Sequence, residues 1–214
     1  NIMNSLPDFL IDRYKEWRSE TYNNQKSLLK KLNKEGQNPK FMIISCCDSR
    51  VLESNIFKIR EGEFFIHKNI ANIVPAYNPK KKEQVTLAAV EYAVKVLRVE
   101  HIIILGHSNC GGVNQAYKVF SSQNENKYDF IDNCIEDLKK PYLNVQDKLL
   151  DKKNLHLLEK ESIKNSISNL LTFPIINKFS NKSKIFLHGL WYEIGEGELF
   201  HLDNNTQVFN KLIY

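Results

Sequence analysis

Two short apolar runs, each ending abruptly in a polar turn that carries sulfur, constrain this chain more than any other feature. Phe41 to Val51 reads FMIISCCDSRV, and about sixty residues on Ile102 to Gly112 reads IIILGHSNCGG. Apolar runs without alternation suit strands buried on both faces of a parallel sheet. Glu63 to His67 and Lys184 to His188 are two further runs of this kind. Between them, Val85 to Val99 is apolar around most of its circumference, as expected for a helix buried between a sheet and another layer. Strands that alternate with helices predict an α/β fold with a parallel sheet.

The 214 residues suffice for one domain with a substantial core. We divide that domain into a helical arm over 1–35, an α/β core over 36–203 and a C-terminal extension over 204–214. In the arm, Phe9, Leu10, Tyr14, Trp17, Tyr22, Leu28, Leu29 and Leu32 are spaced for one or two helices, stopped by Gly36 and Pro39. Such a segment ahead of the first strand has nothing of its own to pack on, so it is expected to dock elsewhere, a partner subunit being one such place. Asp129 to Lys153 and Leu155 to Leu171 predict a charged amphipathic helical region, broken at Pro141, ended near Pro174, and forming a solvated outer layer. Trp191 to Glu193, Gly195, Gly197 and Leu199 to Leu202 predict a hairpin.

Composition excludes several functions. The net charge of +5 comes from 30 basic and 25 acidic residues of mixed sign, and the one dense basic run, Lys80 to Lys82, fits a solvated loop better than a nucleic-acid surface. No apolar run approaches the ~20 residues that span a bilayer. Four cysteines, two of them adjacent, argue against a disulfide scaffold and for a reducing compartment. The expectation is a soluble, cytoplasmic protein.

Thiolates and imidazole are the preferred ligands of zinc, and a catalytic zinc keeps three protein ligands and one exchangeable position. Cys46, His107 and Cys110 meet that count at the carboxyl ends of neighbouring parallel strands, where open α/β sheets place their active sites. Cys47 would point away and is expected to be a small buried hydrophobe. Cys134, in a helical stretch, is expected to pack. Asp48 lies close enough to compete for the open position, and Arg50 can hold it off in a bidentate pair. With two thiolates neutralising the dication, water on the metal should ionise somewhat above the ~7 of a three-histidine site, so activity should rise toward alkaline pH. His67, His101, His156, His188 and His201 lack ligand spacing and are expected to serve packing or surface roles.

CCDSRV from Cys46 with GHSNCGG from Gly106 resembles the two signatures, CxDSR and HxxC, of the β-class carbonic anhydrases. GQNPKFMI from Gly36, GEFFIHKNIANIVP from Gly62, AAVEYAV from Ala88, ESIKNSISNLLTFP from Glu161 and HGLWYEI from His188 extend the likeness over nearly the whole chain. The resemblance implies a three-layer α/β/α fold around a mainly parallel central sheet, and a lyase, carbonate dehydratase, that hydrates carbon dioxide reversibly to bicarbonate and a proton through a zinc-bound hydroxide. It implies one Zn2+ per subunit on Cys46, His107 and Cys110, with Asp48 as an added ligand in a closed state and Asp48 with Arg50 as the gating dyad. Gln37 matches the substrate-orienting glutamine. Phe65, Ile70, Tyr92 and Gly111 match the substrate pocket. The assembly it implies is a homodimer, often paired into a tetramer, with the N-terminal helices embracing the partner.

Lys68 stands where the family usually has arginine. The tryptophan, arginine and tyrosine of members with an inhibitory bicarbonate site correspond here to Ile43, Lys68 and Tyr192. With only the tyrosine intact, an open, water-bearing zinc is expected. Two alternatives accompany the main reading: hydrolysis of carbon disulfide or carbonyl sulfide on the same scaffold, and a zinc-stabilised binding module. The binding module would need a fourth structural ligand and a basic, aromatic stripe that the sequence does not offer.

Overall fold

The computed structural model describes residues 5–80, 85–123, 127–149, 151–180 and 185–213. Lys81 and Lys82 of the basic run, and Lys184 at the start of the fourth apolar run, lie outside the described residues. The chain forms two compact units, divided between Gln37 and Asn38. In the first, helices α1 (Asp8–Ser19) and α2 (Thr21–Glu35) bury none of their residues, and Gly36 ends α2 with a left-handed φ of 83°. Among the described residues no helix is long and apolar enough to cross a membrane.

The second unit is built on a six-stranded sheet of β1 (Phe41–Cys46), β2 (Phe64–Asn69), β3 (His101–His107), β4 (Phe186–Glu193), β5 (Glu198–Leu202) and β6 (Phe209–Lys211). The spatial order is β2-β1-β3-β4-β5-β6. The first four strands in space are parallel, and β5 and β6 are added antiparallel. Register sets the chemistry: Cys46 lies beside Asn69, Ser45 beside Leu105 and His107 beside Tyr192, so the ends of four strands meet at one edge.

Helices flank this sheet: α3 (Glu53–Ile56), α4 (Val85–Glu91), α5 (Gly111–Phe120), α6 (Ile131–Ile135), α7 (Lys139–Val145), α8 (Leu155–Leu170) and α9 (Pro174–Ser180). Met42, Ile44, Ile102 and Ile104 pack on α4, α8 and α9 through Val90, Ile163, Ile167 and Ile176. Ile43, Ile103, Leu105 and Leu190 face the other way, onto Val51, Ile56, Phe57 and Ile59.

Several sequence expectations need correction. The second strand starts at Phe64 and runs on to Asn69. Pro141 breaks nothing: it sits in the first turn of α7, where a missing N–H costs no helical bond. The breaks fall instead at the 3-10 turns Glu136–Leu138, Gln146–Lys148 and Asp151–Asn154. Most important, α8 is no solvated layer, since Leu158, Glu159, Ser162, Ile163, Ser166 and Leu170 are all buried. Its charges misled because Gly106 and Gly189 in the strands beneath leave room for Ile163 and Ile167, which bring this face of the helix close against the sheet. A Cβ at Gly189 would sit 2.9 Å from Ile163 Cγ2, 3.0 Å from Ile167 Cδ1 and 3.1 Å from Leu202 Cβ. Gly189→Ala is therefore expected to cost about 1–3 kcal/mol, read from urea unfolding, because no single rotation relieves three contacts.

The segment after Val85 also differs. α4 passes into a π-helical stretch, Tyr92–Leu97, ended by a left-handed Arg98. Val85, Tyr92 and Val96 stay exposed along it, so this helix buries one side rather than its whole circumference. Cys47, expected inside, is exposed, because β1 ends at Cys46 and the chain turns outward. Cys134 packs as expected, at the edge of the cluster around Ile135 and Leu158. Among the histidines, His101, His188 and His201 stack across adjacent strands, with His101 Nδ1 3.0 Å from His188 Nε2, a packing role.

Candidate metal centre

Two strand ends and the head of a helix deliver the side chains of the centre. Cys46 closes β1 and His107 closes β3, while Cys110 stands at the head of α5 after the turn through Asn109, whose φ is 54°. Gly112 lets α5 approach: a Cβ there would lie 2.7 Å from Ile70 Cγ2 and 2.9 Å from Ala71 Cβ. The two sulfurs are 3.8 Å apart, and the ligand atoms of Cys46, His107 and Cys110 all lie within 4.8 Å of one another. All three residues are buried, His107 completely.

His107 Nδ1 is 2.9 Å from the Ser108 carbonyl, which can only accept, so Nδ1 carries the proton and Nε2 presents its lone pair. That Nε2 is buried and has no hydrogen-bond partner. Ser108 is itself fixed, its N–H donating to the Tyr192 carbonyl at 2.9 Å and its hydroxyl accepting from the Ile194 N–H at 2.9 Å. The Cys46 thiol is lowered to about 4, chiefly by the hydrogen bond from Cys110, while that contact and burial push Cys110 well up. Burial is the largest single influence on the His107 imidazolium and opposes it, but the Cys46 sulfur, the Ser108 carbonyl and Asp48 together outweigh it and the net direction is up. Two buried sulfurs and an orphaned imidazole nitrogen, converging on one point, fit a zinc ion in both donor type and count.

Asp48 is held in the fork expected of Arg50. Arg50 Nε donates to Oδ1 at 2.9 Å and Nη2 to Oδ2 at 2.7 Å, while the Arg50 N–H donates to Oδ1 at 3.0 Å. The Arg50 hydrogen bonds hold the carboxyl far below the usual carboxylate range. Arg50 Nη2 is tied in turn to the Asn109 carbonyl at 3.0 Å. Asp48 Oδ2 remains only 3.8 Å from His107 Nε2.

The remaining expected site residues are less closely grouped. Phe65 is partly buried, its ring 5.7 Å from that of Tyr92, while Ile70 and Tyr92 are 39% and 44% exposed. Gly111 is open, with nothing within 4 Å of where a Cβ would be. Gln37 is exposed at the end of the N-terminal unit. Ile43 is fully buried. Lys68 donates to Glu53 Oε1 at 2.6 Å and to the Val51 carbonyl at 3.0 Å, single contacts that a point charge can satisfy.

Two buried acids escaped the sequence reading. Glu53 accepts from Lys68 and from the Ser45 hydroxyl. Glu159, on α8, accepts from the Cys110 N–H at 3.1 Å and from Trp191 Nε1 at 3.0 Å, and burial pushes its carboxyl up against those donors. No motif marks it, since it sits in a stretch whose charges resemble a surface. Glu159→Ala leaves both donors buried and unpaired, with an expected loss of about 2–3 kcal/mol by urea unfolding. A smaller loss is expected for Glu159→Gln, which keeps one acceptor. A change within about 0.5 kcal/mol for the alanine variant would contradict this account.

Fold and centre together define an α/β protein with a thiolate–imidazole metal site at the carboxyl edge of a parallel sheet. Residues 41–199 match the model of the carbonic anhydrase family. The chain is similar to beta carbonic anhydrase 3 of Arabidopsis thaliana, 34% identical over 198 residues that cover 89% of this chain and 75% of that one. Among solved structures it is similar to the beta-carbonic anhydrase CcaA, with a TM-score of 0.86, 28% identity, and 97% of this chain and 92% of that one covered. It is also similar to tetrameric beta-carbonic anhydrases of the filamentous ascomycete Sordaria macrospora, with a TM-score of 0.79, 29% identity, and 91% and 95% covered. The chain belongs to the β-carbonic anhydrase family.

Proposed function

We propose that the chain catalyses the reversible hydration of carbon dioxide to bicarbonate and a proton, with one Zn2+ per subunit held by Cys46, His107 and Cys110. The observation that carries this reading is the buried convergence of two sulfurs and an unpaired imidazole nitrogen, beside a carboxylate that an arginine holds aside. A zinc ion bound there supplies Lewis acidity, which makes water a competent nucleophile near neutral pH.

Around it the protein's own groups have separable tasks. Arg50 fixes both oxygens of Asp48, and the carboxylate accepts a hydrogen bond from the attacking water, aligning its lone pair on the carbon of the substrate. Gly111, with no side chain, leaves room beside the reacting atoms. Carbon dioxide is uncharged and without a dipole, so Phe65, Ile70 and Tyr92 serve as its apolar wall. The exposure of Ile70 and Tyr92, continued by Val85 and Val96, supports a homodimer that closes this wall. Exposed Leu6, Phe9, Leu10, Tyr14 and Trp17 support an arm that embraces the partner, with pairing of dimers into a tetramer as the next order of assembly. Free thiols, Cys47 among them exposed, support a cytoplasmic setting.

Stopped-flow hydration of carbon dioxide across pH, with zinc measured on the same sample, tests the reading. Turnover rising toward alkaline pH is expected. Zinc-replete protein without hydration at any pH would overturn it.

A further inference from the structure

Directly after β2 the chain makes a tight turn, Ile70–Asn72, in which Ala71 and Asn72 have φ of 60° and 48°. Both are buried. Residues other than glycine hold such a left-handed conformation only where the surroundings impose it. Here the surroundings include the side chain of Asn69. Its Oδ1 accepts from the Ile73 N–H at 2.9 Å and its Nδ2 donates to the Ile73 carbonyl at 2.8 Å, so one amide bridges both backbone groups of the residue four ahead. Nδ2 also donates to Thr86 Oγ1 in α4 at 3.1 Å. The turn closed in this way lies against both sulfur-bearing segments: Ala71 packs in one cluster with Cys46 and Cys110, and a Cβ at Gly112, two residues after Cys110, would sit 2.9 Å from Ala71 Cβ. Asn69 and Cys46 are direct partners in the β1–β2 register, so the clamp and the sulfur sit side by side.

We propose that Asn69 is a positioning residue of the metal centre: its amide locks the left-handed turn so that Ala71 is held against Cys46 and against the head of α5, which carries Cys110. The inference rests on the zinc reading above. A turn packed against both cysteines fixes where each sulfur is aimed, and the aim of a ligand governs how tightly a metal is held. The same loop has a second clamp further on, where Asn169 Nδ2 donates to the Val74 carbonyl at 2.8 Å and Val74 N–H donates to Ser166 Oγ at 3.1 Å. That clamp steadies the loop without closing the turn at Ala71, so it serves as the control.

The full chain, stripped of metal and reloaded with Co2+, should show a thiolate-to-cobalt charge-transfer band. A wild-type protein that takes up no Co2+ would count against the zinc reading itself. Given the band, Asn69→Ala is expected to shift it and to weaken zinc binding, measured by chelator competition, about 10–100-fold. Asn69→Asp keeps the acceptor for Ile73 N–H and loses the donor, so an intermediate shift is expected, and this variant decides the matter if the alanine variant does not fold. Asn169→Ala is expected to leave band and affinity unchanged. The proposal is overturned if folded Asn69→Ala or, failing that, Asn69→Asp keeps the wild-type band and affinity. A shift of equal size in Asn169→Ala would overturn it too.

Discussion

Arg50→Ala is expected to take up its full complement of zinc and yet to lose about 10²–10³ in kcat/KM. Three donors of Arg50 now hold Asp48: Nε, Nη2 and the backbone N–H. Of these, only the backbone donor survives the substitution. Asp48 Oδ2 already lies 3.8 Å from His107 Nε2, so a carboxylate freed from the fork needs little movement to take the fourth position on the ion. Four protein ligands, three of them anionic, leave neither a place for water nor the charge to activate it. Lysine in place of arginine is not expected to rescue, because a point charge cannot pin both oxygens. Stability should hardly change, since the Arg50 side chain is 49% exposed and such pairs contribute little to folding. If the released carboxylate is the cause, the double variant Arg50→Ala, Asp48→Ala will be no slower than Arg50→Ala alone. Stopped-flow rates with metal analysis decide this, and Arg50→Ala retaining most of the wild-type rate would refute the gating role.

The parts of this molecule that were legible in the sequence are those whose physics is local. A strand buried on both faces needs an uninterrupted apolar run, and Phe41 to Cys46 and Ile102 to Gly106 announce themselves in that way. Cysteine and histidine are scarce enough that Cys46, His107 and Cys110 at strand ends stand out, and an Asp two residues before an Arg suggests the fork that the structure contains. What escaped depends on contacts between distant segments. Glu159 looks like a surface charge because its partners, Cys110 and Trp191, are 49 and 32 residues away. Asn69 gave no sign, because its clamp serves a left-handed turn that no glycine marks. Lys68 was read as a departure from an arginine-bearing pattern, but its partner Glu53 lies 15 residues earlier on α3, close enough for a single ammonium contact. The outward turn of Cys47 and the exposed side of α4 concern which surface is covered, which residue spacing alone does not encode.

Removing the metal is expected to expose how much of the edge where the strands meet depends on it. In the protein alone, His107 Nε2 is buried without a partner and two sulfurs face each other at 3.8 Å, an arrangement that stabilises little until an ion accepts all three lone pairs. Binding to the folded state alone stabilises by about 4 kcal/mol at a thousandfold excess over Kd. Chelator-treated protein is therefore expected to unfold at clearly lower urea concentration than the zinc-loaded form, and to lose all hydration activity. Cys110→Ala takes away one sulfur while leaving the Cys110 N–H bond to Glu159 available, so the variant should fold, bind little zinc and be inactive. Its unfolding midpoint should then be the same with and without zinc. A gap between the two midpoints as large as in the wild type would mean that the ion is held elsewhere, and would remove Cys110 from the site.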